Sequence, residues 1–263
     1  LSLPFVNRLA EFTPEQLLAA RGIVAAGLAL ILARGQVLGV DRYTLLTAAC
    51  IPFAALGLYK GIRTWGINPT IIVITTTPVF NFAFTALQKR KISREAMIAL
   101  GLMLSGVVIA RHGGQFHLIG FGWSLFGAIF NAILYEFLAR AKSTPFQRCF
   151  WSSLGIGVVG LALSYDANWA QAMHDHELQG RLVGFAIVGG FLYWLANVVT
   201  FEKLEKDLAS ILAQGESPCV ILAAWLLLGE KLSPSQWVGV LLSLAGAWYL
   251  GRWIQAQNEK TTS

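Results

Sequence analysis

The sequence predicts an all-α polytopic membrane protein built from a duplicated unit, and three observations carry that prediction. The first is composition: 56% of the residues are hydrophobic and only 13% charged, with a mean hydropathy of +0.60, where a soluble domain carries about 25% charged residues. The second is pattern. Apolar runs alternate with short polar turns along all 263 residues, room for about nine or ten spans of about 20 residues with little left for a soluble domain. The third is internal repetition. A gapless shift of 140 residues aligns Ile71 with Ile211, Pro78 with Pro218, Ala83 with Ala223, Leu87 with Leu227 and Lys91 with Lys231. Ser93 with Ser233, Leu102 with Leu242, Leu104 with Leu244 and Gly106 with Gly246 continue it. Leu and Ala recur by chance in any membrane protein, but here the prolines and a Lys-x-Ser turn recur with them.

At the centre of each copy an apolar run is interrupted. Pro218 has no N–H, so the carbonyl of Gln214 loses its helical donor and the helix bends there. Lipid offers no replacement donor, and such breaks are tolerated where they are packed in protein or line a wet cavity. Glu216 and Ser217 lie inside this break, and a carboxylate near the bilayer centre costs about 2.5 to 3.5 kcal/mol on insertion scales, so it faces a bundle interior and marks function. The alternative is a structural Glu, protonated or hydrogen-bonded. In the first copy Thr75, Thr76 and Thr77 take the positions of Gly215, Glu216 and Ser217, ahead of Pro78. Two interrupted helices at matching places in two halves are the sequence pointer to a transporter's central site.

In chain order, residues 1–10 are apolar but rise only about 15 Å as a helix, so they are expected to be the remnant of a first span. Pro14 starts a second span that runs to Arg34 and carries Arg21, which either snorkels or faces the interior. The third span covers Tyr43 to Ile62 with Pro52 inside, the fourth Asn68 to Gln88 around Pro78, and the fifth Glu95 to Ala110. The sixth runs from Leu118 to Ala139, where Glu136 and Arg140 are spaced for an i,i+4 ion pair. The seventh is Pro145 to Ser164, and the eighth is Gly180 to Thr200 with Tyr193, Trp194 and Asn197. A long polar connection, Asp166 to Gln179, separates these two. A ninth span bent at Pro218 and a tenth, bracketed by Trp237 and Trp253, complete the chain.

Basic residues fall in alternate turns rather than in one tract, so the net charge of +6 reads as topology and not as nucleic-acid binding. One side, with Arg34, Arg42, Lys89, Arg90, Lys91 and Arg94 among them, carries thirteen Lys and Arg; the other, with Arg8, Lys60, Arg63, Arg111, Arg181 and Lys231, carries six. The positive side is cytoplasmic, which puts the C-terminus inside. With five spans per half, the odd number forces the halves into opposite orientation. Cys50, Cys149 and Cys219 have neither pairing nor ligand spacing. His174-Asp175-His176 lacks a third ligand at fixed spacing, so no metal and no cofactor is expected.

The block from Pro218 to Arg252, with Leu227-Leu228-Gly229-Glu230-Lys231-Leu232-Ser233 and Gly239 to Gly246, resembles an EamA-type half of the drug/metabolite transporter superfamily, and the first half repeats it more weakly. The resemblance implies ten helices in two inverted five-helix repeats, residues 1–113 with an incomplete first helix and residues 114–263, around a central cavity. It also implies alternating access across an inner or plasma membrane, often as export of amino acids or small metabolites. Arg90 stands where the second copy has Glu230, so the acidic turn is kept only once.

The leading functional expectation is therefore a secondary transporter. Its substrate site is expected from Thr75, Thr76, Thr77, Gln214, Glu216 and Ser217 at the two breaks, with Asn81, Tyr193, Trp194 and Asn197 as additions. Two roles are open to Glu216: neutralising a substrate amine, or carrying a coupling proton after burial has raised its pKa. For the threonines, the competing role is to bond helix carbonyls. A membrane-embedded enzyme would need converging reactive groups, yet Asp41, Asp166, Asp175 and Asp207 lie at span ends or in loops and the histidines in connections. A non-transporting subunit, packed through Gly101, Gly106, Gly239 and Gly246, is the remaining alternative.

Overall fold

The computed structural model describes residues 12–89, 94–111, 116–167, 169, 176–203, 209, 213 and 233–262. They form helices α1 (Pro14–Leu32), α2 (Arg42–Trp65), α3 (Ile67–Ile74), α4 (Thr77–Lys89), α5 (Arg94–Arg111), α6 (Leu118–Leu138), α7 (Pro145–Leu163) and α8 (His176–Phe185). A π-helical segment, Ala186–Leu192, then joins α8 to α9 (Tyr193–Lys203), and α10 spans Pro234–Thr262. No strand occurs among the described residues. The first and ninth expected spans lie outside the described residues.

Local sequence sets the helix starts. Thr13 caps α1 with Pro14 in the first turn, its side chain accepting from the Gln16 N–H while the Gln16 side chain accepts from the Thr13 N–H. Thr144, Pro145 and Gln147 repeat this reciprocal cap on α7, and Ser233, Pro234 and Gln236 repeat it on α10. Each cap satisfies two of the donors that a helix N-terminus leaves open.

Among the described residues, α1, α2, α6, α7 and the stretch Gln179–Lys203 are long and apolar enough to cross a membrane. Large apolar side chains such as Ile31, Leu118, Val158, Leu241 and Trp248 face outward, the surface a bilayer covers rather than water. The protein is thus an all-helical polytopic membrane protein. The eighth expected span begins earlier than Gly180, because α8 starts at His176 and shortens the polar connection before it. The last helix runs past Arg252 to Thr262.

Packing joins early helices to late ones: α1 lies on α7, α2 on α6, α3 and α4 on α6, and α5 on α10. Glycines let the backbones meet. A Cβ on Gly22 would come within 2.1 Å of the Gly157 nitrogen, and one on Gly57 within 2.6 Å of the Gly127 Cα. Ala19 meets Gly160 and Gly22 meets Gly157, so α1 and α7 run antiparallel. Pro52 sits inside α2 and leaves the Ala48 carbonyl without its helical donor. Gly155 of α7 packs directly over that carbonyl, where a Cβ would lie 2.2 Å from the oxygen. Of the glycines expected to pack, Gly101 has open space where a Cβ would be, and Gly246 packs against α5, facing Met103 and Ala99.

Candidate functional site

The fourth expected span is two helices, and the interruption falls at Thr75–Thr76, just before Pro78 rather than at it. The Thr75 N–H still reaches the Ile71 carbonyl at 2.9 Å, but the Thr76 N–H turns to Val73 at 3.0 Å, tightening the last turn of α3. Pro78 supplies no N–H for Ile74. Three hydroxyls take up the slack: Thr75 Oγ1 donates to Ile72 O at 2.6 Å, Thr76 Oγ1 to Val73 O at 2.6 Å, and Thr77 Oγ1 to Ile74 O at 2.7 Å. All three threonines are buried, as is Asn81 one turn further on. The hydroxyl protons are committed to carbonyls, so what remains on each oxygen is acceptor capacity. A row of buried acceptors suits a ligand that brings donors.

Tyr193, Trp194 and Asn197 begin α9, beyond the π segment. Trp194 and Asn197 are buried and Tyr193 half-buried; the Asn197 amide donates back to the Tyr193 carbonyl at 3.0 Å. This group packs with the π segment against α1 and α7, whereas α3 and α4 pack against α2, α5, α6 and α10. The two expected clusters therefore sit on different neighbours. Gln214, Glu216, Ser217 and Pro218 lie outside the described residues.

Arg21 points inward. It is only 7% exposed, and Nη1 donates to Tyr59 Oη at 2.7 Å, which settles against snorkelling. Neither Tyr59 nor the π segment was expected at a site; the charge inside an apolar run and the Gly189-Gly190 pair were the only signals. Elsewhere, Arg140 pairs with Glu136 at the expected i,i+4 spacing.

At the opposite end of α2, Asp41 ties the start of that helix to the turn before α7. Its carboxylate accepts from the Tyr43 and Thr44 N–H groups of α2, and from the Lys142 and Ser143 N–H groups and the Ser143 hydroxyl, which precede α7. Burial alone would raise its pKa, but the bonds from Ser143, Lys142 and Thr44 outweigh it and hold the carboxyl well below the usual carboxylate range.

A family model for EamA-like transporters matches residues 118–252. The chain belongs to the EamA-like transporter family. An EamA-like protein is a membrane transporter of the drug/metabolite type, so that much of the function follows from membership. No curated protein matches the chain. A solved crystal structure, described only as that of a protein, is similar over 96% of this chain and 93% of its own, with a TM-score of 0.69 at 15% identity. That likeness shows the fold alone, and it extends the shared architecture beyond residues 118–252 of this EamA-like chain.

Proposed function

We propose that this protein is a secondary transporter that moves a small metabolite, an amino acid or an amine, across the cytoplasmic membrane by alternating access, working as an exporter. The observation that carries the reading is the interrupted helix at Thr75–Pro78, a buried break of the kind that holds substrates at the middle of transporter bundles. Its acceptor row suits an amine, and Glu216, at the matching break, supplies the anionic partner or the site of a coupled proton. Asn81, Gln214, Ser217, Tyr193, Trp194 and Asn197 complete the substrate path in this reading.

Ten helices in two inverted repeats, residues 1–113 and 114–263, complete the proposal, with the C-terminus cytoplasmic. Two packed pairs support it. Helices α1 and α7 begin with the same Thr-Pro-x-Gln cap, and α5 and α10 are matched by the 140-residue shift. Each helix lies against its counterpart, as equivalent elements do when they flank a two-fold axis in the membrane plane.

The test is uptake and counterflow in proteoliposomes with pooled labelled amino acids and amines, with and without a pH gradient. Saturable flux that the gradient changes, and that Glu216→Gln abolishes while the protein still folds, is the expected result. Unchanged flux in Glu216→Gln would remove that residue from the mechanism, and no flux of either pool from folded protein would overturn the substrate class.

A further inference from the structure

We propose that Arg21, Tyr59 and Trp194 form a subsite for the carboxylate of the substrate, at the junction of α1, α2 and the π segment. The inference rests on the transporter reading and adds an anion-recognising group to the proposed substrate path. The guanidinium is buried, yet among the described residues its one hydrogen bond goes to the neutral hydroxyl of Tyr59, and Nε has no partner there. Among the described residues no carboxylate pairs with it; the ion pairs there join Lys60 to Glu15, Arg140 to Glu136, Arg148 to Glu202 and Arg181 to Glu177. Arg148, equally buried, shows the satisfied alternative: Nε donates to the Ser143 carbonyl at 2.7 Å and Nη2 faces Glu202.

The second donor comes from the helix laid over Arg21. Gly190 of the π segment packs onto the arginine stem, where a Cβ would come 2.9 Å from Arg21 Cγ. Trp194 follows four residues later, one turn along the same face. The residue is 4% exposed, and its indole N–H has no hydrogen-bond partner among the described residues. A buried indole N–H ordinarily finds one, and an arginine fork matches a carboxylate through two parallel bonds. The Tyr59 hydroxyl accepts from Arg21 and keeps its own proton to donate. Two buried donors without an acceptor among the described residues, Arg21 Nε and Trp194 Nε1, beside the Tyr59 hydroxyl, call for an oxyanion. The π turn, which widens the helix locally, is a frequent device at functional sites and lies between the two donors. A subsite of this kind favours substrates that carry a carboxylate, amino acids among them, over simple amines.

The test measures thermal unfolding of the full chain in neutral detergent, free of added lipid, with benzoate, with pooled L-amino acids, and with benzyl alcohol and decarboxylated amines as controls. Benzoate and the amino acids are expected to raise the unfolding temperature and the controls to leave it unchanged. In Arg21→Gln the apparent affinity for benzoate is expected to fall by about tenfold or more, as it does when a built hydrogen-bonding site loses its partner, with a smaller loss in Trp194→Phe. Should Arg21→Gln fail to fold, Trp194→Phe and Gly190→Ala decide. No stabilisation by any carboxylate, or the same affinity in the folded variants, would overturn the subsite. Stabilisation by benzoate that returns on adding anionic lipid to a delipidated sample in place of benzoate would assign the subsite to a lipid headgroup and overturn the substrate role. Carboxylate binding without proteoliposome flux would leave the subsite standing and defeat the transport reading, whereas flux of amines equal to that of amino acids would do the reverse.

Discussion

At the α3–α4 break, the carbonyls of Ile72, Val73 and Ile74 each accept a hydroxyl from the three threonines that follow them. Around Arg21, by contrast, buried donors on α1 and α9 are left without acceptors. The first region closes its hydrogen bonds locally, within one stretch of chain, so a proline break is held in an apolar bundle at little cost. The second closes one, from Arg21 to Tyr59, and leaves Arg21 Nε and Trp194 Nε1 open among the described residues. Unmet donors in a low-dielectric interior are expensive, and a protein that retains them keeps them for something that arrives from outside. Polar character inside a membrane bundle therefore has two meanings, and partner bookkeeping separates them.

Apolar replacement should act in opposite directions in the two regions. Arg21→Met with Tyr59→Phe removes a charge that no carboxylate pairs among the described residues, together with its Tyr59 partner; the expected result is a gain in stability of about 1 to 4 kcal/mol, as for other buried charged groups replaced by apolar ones. Thermal unfolding in detergent checks it, and a loss of stability would erase the contrast. Thr77→Val leaves the Ile74 carbonyl with neither an N–H nor a hydroxyl, and should cost about 1 to 3 kcal/mol; Thr77→Ser, which keeps the donor, should stay close to the parent in the same melt.

The Asp41 tie gives a smaller and more conventional effect to set against these. Asp41→Ala removes the cap of α2 and should cost about 1 kcal/mol, read from the unfolding temperature. Because the folded-state pKa is depressed, this contribution is complete above the unfolded value of about 3.9 and is lost as pH falls through the folded one. The gap between parent and Asp41→Asn should therefore shrink as the melt is taken from about pH 5 downward. The group is largely solvated, so the change should be slight.

Much of the architecture was legible in the sequence because membrane helices are bounded by residues with strong local rules. Pro14, Pro145 and Pro234 each open a helix after a hydroxyl cap. The Thr-Pro-x-Gln pair at residues 13–16 and 144–147 was an additional mark of duplication that the 140-residue shift passes over, since its own spacing is different. The break before Pro78 was visible too, though its place was not: proline forbids one bond, while three hydroxyls decide where the chain actually turns. Arg21 could not be assigned from sequence. Snorkelling and inward orientation look alike in one dimension, and the choice was made by Tyr59 and Gly190, both distant along the chain. Nor does Ala186–Leu192 announce a π turn, because an extra residue leaves no trace in a run that is apolar throughout. Glu216, the most telling residue of the sequence, lies outside the described residues, and its role rests on the variants named for it.

The pairing of early helices with late ones also bears on how the chain is made. Synthesis delivers α1, α2 and α5 before α6, α7 and α10 exist, and domains otherwise tend to fold in the order they emerge. The glycine faces at Gly22 and Gly57, shaped to receive another backbone at van der Waals distance, must wait against lipid or an insertion partner until their counterparts arrive. Assembly is thus a closing of the molecule upon itself late in translation, and a ribosome that stalls midway releases not half a transporter but a set of unmatched surfaces.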